Sequence, residues 1–183
     1  GLIYPRRNLS TLNSAMPWLA EHLLNYDHYA QFTVEDLSEP ARLSKAVRSE
    51  ITTLQSMVFL RTDGGFKPIP LPAEAQLTAA FCPVVADFDN DGLEDIALSQ
   101  NVFGVHQEES RQDAGFGLLL LGQGDGTFET TTIGVSGLTV FGEGRSAATA
   151  DFDHDGRTDL IICQNGAKPK LFLSQTKRRG LRV

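Results

Sequence analysis

Two stretches carry residue types at a spacing that can do chemistry: Asp87-Phe88-Asp89-Asn90-Asp91-Gly92-Leu93-Glu94-Asp95 and Asp151-Phe152-Asp153-His154-Asp155-Gly156-Arg157-Thr158-Asp159. Each sets carboxylates at loop positions one, three, five and nine and a glycine at position six. Alternate residues of a tight loop can turn their oxygens toward one point, and the glycine permits the positive φ that folds the chain around it. Four carboxylates gathered so closely repel one another unless a cation joins them. An all-oxygen donor set asks for a hard ion, and calcium fits best. Magnesium is disfavoured, because it keeps several waters and demands a tighter octahedron.

The elements that must position these loops separate two kinds of calcium site. An EF-hand shares the first six positions but needs a Glu at position twelve and a helix on either side. Position twelve is Leu98 in one copy and Ile162 in the other, so that reading fails. The flanks, Phe81 to Ala86 before the first loop and Ile96 to Ser99 after it, are short apolar runs bounded by turn residues and read as strands.

A calcium loop between two strands, closed by an Asp at position nine, resembles the FG-GAP (VCBS) repeat of integrin α-subunit propellers and many secreted bacterial proteins. The resemblance implies two calcium sites. One is held by the side chains of Asp87, Asp89, Asp91 and Asp95 with the carbonyl of Leu93, the other by Asp151, Asp153, Asp155 and Asp159 with the carbonyl of Arg157. Asn90, Glu94 and His154 fall at even positions and are expected to face solvent. The run Pro70 to Gln76, the segment Asn101-Val102-Phe103-Gly104, Lys170-Leu171-Phe172-Leu173 and Gly180-Leu181-Arg182-Val183 look like bacterial VCBS proteins akin to the cartilage acidic protein group. In that group a Gly-Leu-Arg-Val segment opens an ASPIC/UnbV domain beyond the propeller.

Composition agrees with metal chemistry. The formal charge is −7, and the two loops hold nine of the 23 acids. Two bound divalent ions would bring the balance to about −3. This acidity argues against nucleic-acid binding, and Lys177-Arg178-Arg179 with Arg182 reads as a solvated basic linker. No run approaches the ~20 apolar residues of a membrane span, and the start does not look like a signal peptide. Cys82 and Cys163 each fall in an expected strand, where buried free thiols are the expectation; neither has a partner at zinc spacing.

Residues 1 to 55 differ from the rest. Leu9, Leu12, Met16, Leu19, Leu23 and Tyr26 step by three or four along one face of a helix or of two short helices in line, with Pro17 opening the second piece. Thr33-Val34-Glu35-Asp36 reads as a helix start, and Leu43, Ala46, Val47, Ile51 and Leu54 as a further apolar helical stripe. From Ser56 the period becomes strand-like. Met57 to Leu60, the turn Thr62 to Gly65, and Phe66 to Ile69 form a hairpin with an edge-like Pro68. The layout returns as Leu118 to Leu121, Gly124 to Thr127 and Phe128 to Thr131.

The spacing from Asp87 to Asp151 is 64 residues. That is long for a propeller blade of about 40 to 50 residues but reasonable with one insertion, placed at Asn101 to Gly115 between the second and third strands of a blade. One unit thus runs from about Thr78 to Ile133. A half-blade at 56 to 72 precedes it, and a last unit with strands at 147 to 150, 160 to 163 and 170 to 173 begins near Ser146.

The expected fold is therefore mainly β: a partial β-propeller of about two four-stranded antiparallel blades with calcium loops, plus an N-terminal α-helical segment. Residues 1 to 55 are a helical insertion or extension, 56 to 174 the blades, and 175 to 183 a basic linker toward a further domain. Propellers close with ~4 to 8 blades, so the chain is a portion of a longer protein, assembles with copies of itself, or is completed by another subunit; the abrupt ends favour the first.

No G-x-S-x-G, H-E-x-x-H or phosphate loop occurs, and His22, His28, His106 and His154 are scattered. The expectation is a non-catalytic, calcium-binding interaction scaffold outside the cytoplasm, where calcium reaches the ~0.1 to 1 mM that such loops often need. Its partner is a protein or the remaining blades. The alternatives are a carbohydrate- or surface-binding adhesin module that takes a glycan, and an accessory subunit of a larger membrane-attached complex or enzyme.

Overall fold

The computed structural model of the chain describes residues 2–23, 25–36, 44–47, 49–106 and 109–177. Two compact units emerge, Gly1–Thr52 and Thr53–Val183.

In the first unit, α1 (Leu9–Ala15) is capped by Asn8, whose Oδ1 accepts the Thr11 N–H at 2.9 Å. A 3-10 helix, Pro17–Glu21, follows with the proline in its first turn, where no amide is missed. Asn25 then caps α2 (Tyr26–Gln31) by accepting the His28 N–H at 2.8 Å. Leu9, Leu19 and Leu23 form a small core with Leu12, Met16, Tyr29 and Phe32 against it. Tyr26, expected on the same stripe, is instead exposed, because the cap at Asn25 starts a new helix and resets the inward face to Tyr29 and Phe32.

Thr33 and Asp36 bond reciprocally: the Thr33 N–H and hydroxyl donate to Asp36 Oδ2 at 2.9 and 2.7 Å, and the Asp36 N–H donates to Thr33 Oγ1 at 3.3 Å. The helix expected after it, with Leu43, lies outside the described residues. The rest of that stripe is not helical: Ala46, Val47, Ile51 and Leu54 lie in turns or irregular chain, with Val47, Ile51 and Leu54 largely exposed. β-Branched Val47, Ile51, Thr52 and Thr53 weaken an isolated helix, and short helices persist only where a packed face holds them.

Among the described residues the second unit is built from nine strands in three antiparallel sheets, each in chain order, and is a partial β-propeller-like fold. β1 (Met57–Thr62) and β2 (Gly65–Pro70) form a hairpin closed by Asp63 and Gly64, with Thr62 opposite Gly65. β3 (Ala80–Ala86), β4 (Asp95–Gln100), β5 (Leu118–Gly122) and β6 (Phe128–Thr130) make the four-stranded sheet. β7 (Glu143–Ala150), β8 (Asp159–Asn165) and β9 (Ala167–Phe172) make a three-stranded one. Between the two lies the short α3 (Ile133–Ser136).

β4 is buried along its whole length. Its alternation sends Ile96 and Leu98 into a cluster with Leu118 and Leu120, against which Val58 and Leu71 pack. Ala97 points the other way, toward Leu138, Val140, Leu160 and Ile162. Each sheet thus covers the next, as blades do. The two cysteines are free, but Cys82 is only half-buried and Cys163 is exposed, which corrects the expectation of buried thiols. Cys82 sits at a register shift of β3 with φ 47°, and its sulfur accepts the Ala147 N–H at 3.2 Å, joining β3 to β7. Cys163 falls at an outward position of β8.

Candidate metal centre

The first loop leaves β3 at Ala86 and rejoins β4 at Asp95, and these two residues face each other in the register. The second leaves β7 at Ala150 and rejoins β8 at Asp159 in the same way. Position nine is therefore the first residue of the next strand. Inside each loop the hydrogen bonds correspond one for one. The Asp91 N–H donates to Asp87 Oδ1 at 3.1 Å and Asp89 Oδ1 at 3.0 Å, the Gly92 N–H to Asp87 Oδ2 at 3.0 Å, and the Leu93 N–H to Asp91 Oδ1 at 2.8 Å. In the second loop the Asp155 N–H donates to Asp151 Oδ1 at 2.9 Å and Asp153 Oδ1 at 3.2 Å, the Gly156 N–H to Asp151 Oδ2 at 2.9 Å, and the Arg157 N–H to Asp155 Oδ1 at 2.9 Å. Asn90 and His154 at position four take φ of 58° and 60°, and Gly92 and Gly156 take 92° and 84°. Two left-handed turns in three residues curl the chain so that successive odd side chains converge.

Asp87, Asp89 and Asp91 each offer an oxygen within 4.8 Å of the others', and Asp151, Asp153 and Asp159 do the same in the second loop. Asp95 and Asp155 stand outside these triads. Asp155 is drawn to the guanidinium of Arg157 in an ion pair. Asp95 is buried, its Oδ2 accepting the Phe88 N–H at 2.8 Å and its Oδ1 the Gly122 N–H at 2.9 Å. Burial pushes its carboxyl above the usual range, and the two amide donors act against that. Asp159 is held alike, by the Phe152 N–H at 2.8 Å and the Ser174 N–H at 2.8 Å. Leu93 and Arg157, at position seven, enter the loop circuit through their backbone amides. Asn90, Glu94 and His154 belong to neither triad.

The donor chemistry fits a hard cation: both triads are carboxylate only, without imidazole or thiolate. Beside the first loop opens a cleft of about 690 Å³, floored by Leu119, Leu121, Leu160 and Phe172. Among the residues that line it Asp89 alone is titratable.

Residues 107–162 match the family model of the FG-GAP-like repeat. The match takes in β5 to β7, the whole second loop and the start of β8, while the first loop lies before it. It covers under a third of the chain. No curated protein matches the chain. The FG-GAP-like match points to a β-propeller-like interaction module, of a family that is typically non-catalytic.

Two residues that hold the repeat together escaped sequence reasoning. Glu143 begins β7 three residues before the expected start and is buried. Its carboxylate accepts the Asn165 amide at 2.7 Å, the Phe103 N–H at 2.7 Å, the Gly104 N–H at 3.3 Å and Arg145 at 2.6 Å. Asn101 is fully buried, donating to the Gly115 carbonyl at 2.7 Å and accepting its N–H at 2.8 Å. Together they fasten the root of the 101–117 insertion. Their partners lie 14 to 40 residues away for most of these bonds, so no local pattern announces them.

Proposed function

We propose that the chain is a calcium-binding, non-catalytic interaction scaffold built on FG-GAP repeats and working outside the cytoplasm, of the VCBS type found near the cartilage acidic protein group. The observation that carries this reading is the repetition of one hydrogen-bond circuit, from Asp87 to Leu93 and from Asp151 to Arg157, between equivalent strands. The second copy lies within the matched repeat. Asp87, Asp89, Asp91 and Asp95 with the Leu93 carbonyl would hold one ion, and Asp151, Asp153, Asp155 and Asp159 with the Arg157 carbonyl the other. For the second ion Asp155 must leave Arg157. Calcium supplies the positive charge that lets the carboxylates of each loop stay together, so binding energy becomes folding energy. Residues 1 to 55 act in this reading as a helical extension and 175 to 183 as a linker.

A protein partner or further blades is the proposed ligand of the scaffold. In support, the described residues of the third sheet supply three strands where the second sheet has four, and Leu171 and Leu173 are exposed at its outer strand and just beyond.

Calorimetric titration with calcium tests the reading. Two equivalents are expected to bind, Asp89→Ala and Asp153→Ala are each expected to remove one, and a chelator is expected to lower the melting temperature sharply. Unchanged melting in chelator together with no heat of calcium binding would overturn it.

A further inference from the structure

The position-nine carboxylates treat the chain after the third strand of each sheet alike. Asp95 Oδ1 accepts the N–H of Gly122, the last residue of β5, and Asp159 Oδ1 accepts the N–H of Ser174, two residues beyond β9. What the chain does next differs. After Gly122 it turns back into β6, with the Gln123 N–H donating to the Thr127 carbonyl at 3.0 Å. After Ser174 it runs on toward the other loop, and the Thr176 hydroxyl donates to the Asp89 carbonyl at 3.0 Å, across 87 residues of sequence. Arg157 grips the same segment, its Nε donating to the Ser174 carbonyl at 2.9 Å. Residues 174–176 therefore form a strap held at one end by positions seven and nine of the second loop and at the other by position three of the first.

We infer that this strap couples the two metal loops, so that calcium at one raises the affinity of the other. The inference rests on the calcium reading above. An ion in the second loop fixes Asp159, and Asp159 fixes Ser174; an ion in the first fixes Asp89, whose carbonyl holds Thr176. Ordering the strap is a conformational loss that both binding events share, so the first ion to bind meets it and the second does not. Repulsion between two bound dications acts in the opposite sense, so the sign of the coupling separates the strap from the field effect. One neutral hydrogen bond transmits the effect at the Thr176 end, and its net worth corresponds to a coupling factor of about fivefold.

Calcium itself is the probe. The affinity of the first loop is measured by calorimetry in the full chain and in Asp153→Ala, which disables the second loop. It is expected to fall about fivefold in that variant. In a Thr176→Val background the same Asp153→Ala change is expected to leave the first loop's affinity where it was. Thr176→Ser keeps the hydroxyl and is expected to restore the difference, which a merely destabilised loop would not do. Binding at both loops with a coupling factor of one, or with the first site tightened by loss of the second, overturns the strap and leaves the calcium reading standing. No binding at either loop overturns both.

Discussion

Glu143 shows how charge is managed at single residues in this chain. Its carboxyl is held down at about 2, first by the Asn165 side-chain amide and then by the Phe103 N–H, with the Gly104 N–H and the Arg145 charge adding and burial opposing. A carboxyl depressed in the folded state contributes stability that is fully present above its ordinary value near 4.5 and is lost as pH falls toward 2. Urea midpoints measured from pH 6 down to pH 2 are therefore expected to fall more steeply for the parent than for Glu143→Gln, the gap between the two curves staying constant above pH 4.5 and closing below it. Taking that difference removes every contribution that the two proteins share. Equal slopes would mean that the carboxylate charge is not what these donors stabilise. The aspartates at positions one, three and five were legible because their loop partners are two to five residues away; Glu143 was not, because the donors that make sense of it come from the insertion and from the far end of β8.

Among the elements, the strands were legible where alternation and turn chemistry agreed. Asp63 and Gly64 close the first hairpin, and Leu118 to Leu121 run into an Asp-Gly turn. The helical stripe from Val47 to Leu54 failed because periodicity states only what could be buried, and among the described residues that stretch has no packed face to bury it. Gly122 shows a constraint that no pattern reveals. A Cβ there would stand 2.2 Å from the Glu94 carbonyl, because β5 must come that close for its last amide to reach Asp95. Gly122→Ala is expected to lower stability by about 1–3 kcal/mol, as overpacking does, and also to weaken calcium at the first loop, since the strand and Asp95 must part. Chemical denaturation in chelator reads the first effect and titration of the Asp153→Ala background the second. A stability loss with an unaltered first site would show that β5 does not position that loop.

For the molecule as a whole, the division at Thr52 sets how far the proposed calcium binding would reach. All the proposed ligands belong to the unit from Thr53 onward, and Leu9, Leu19 and Leu23 form a cluster of the first unit. A ligand that binds only the folded form stabilises what unfolds together with its site, by about 2.7 kcal/mol per site at a hundredfold excess over Kd. Native-state hydrogen exchange with and without calcium should therefore divide the chain. Amides of β4 and β8, which pair on both sides and open only when their sheets do, are expected to exchange at least about a hundredfold more slowly with calcium. Amides of α1 and α2 are expected to keep their rates. Protection spreading equally into α1 would make the chain one cooperative body, and the helical segment would then have to be read as part of the scaffold that the metal braces rather than as an extension of it.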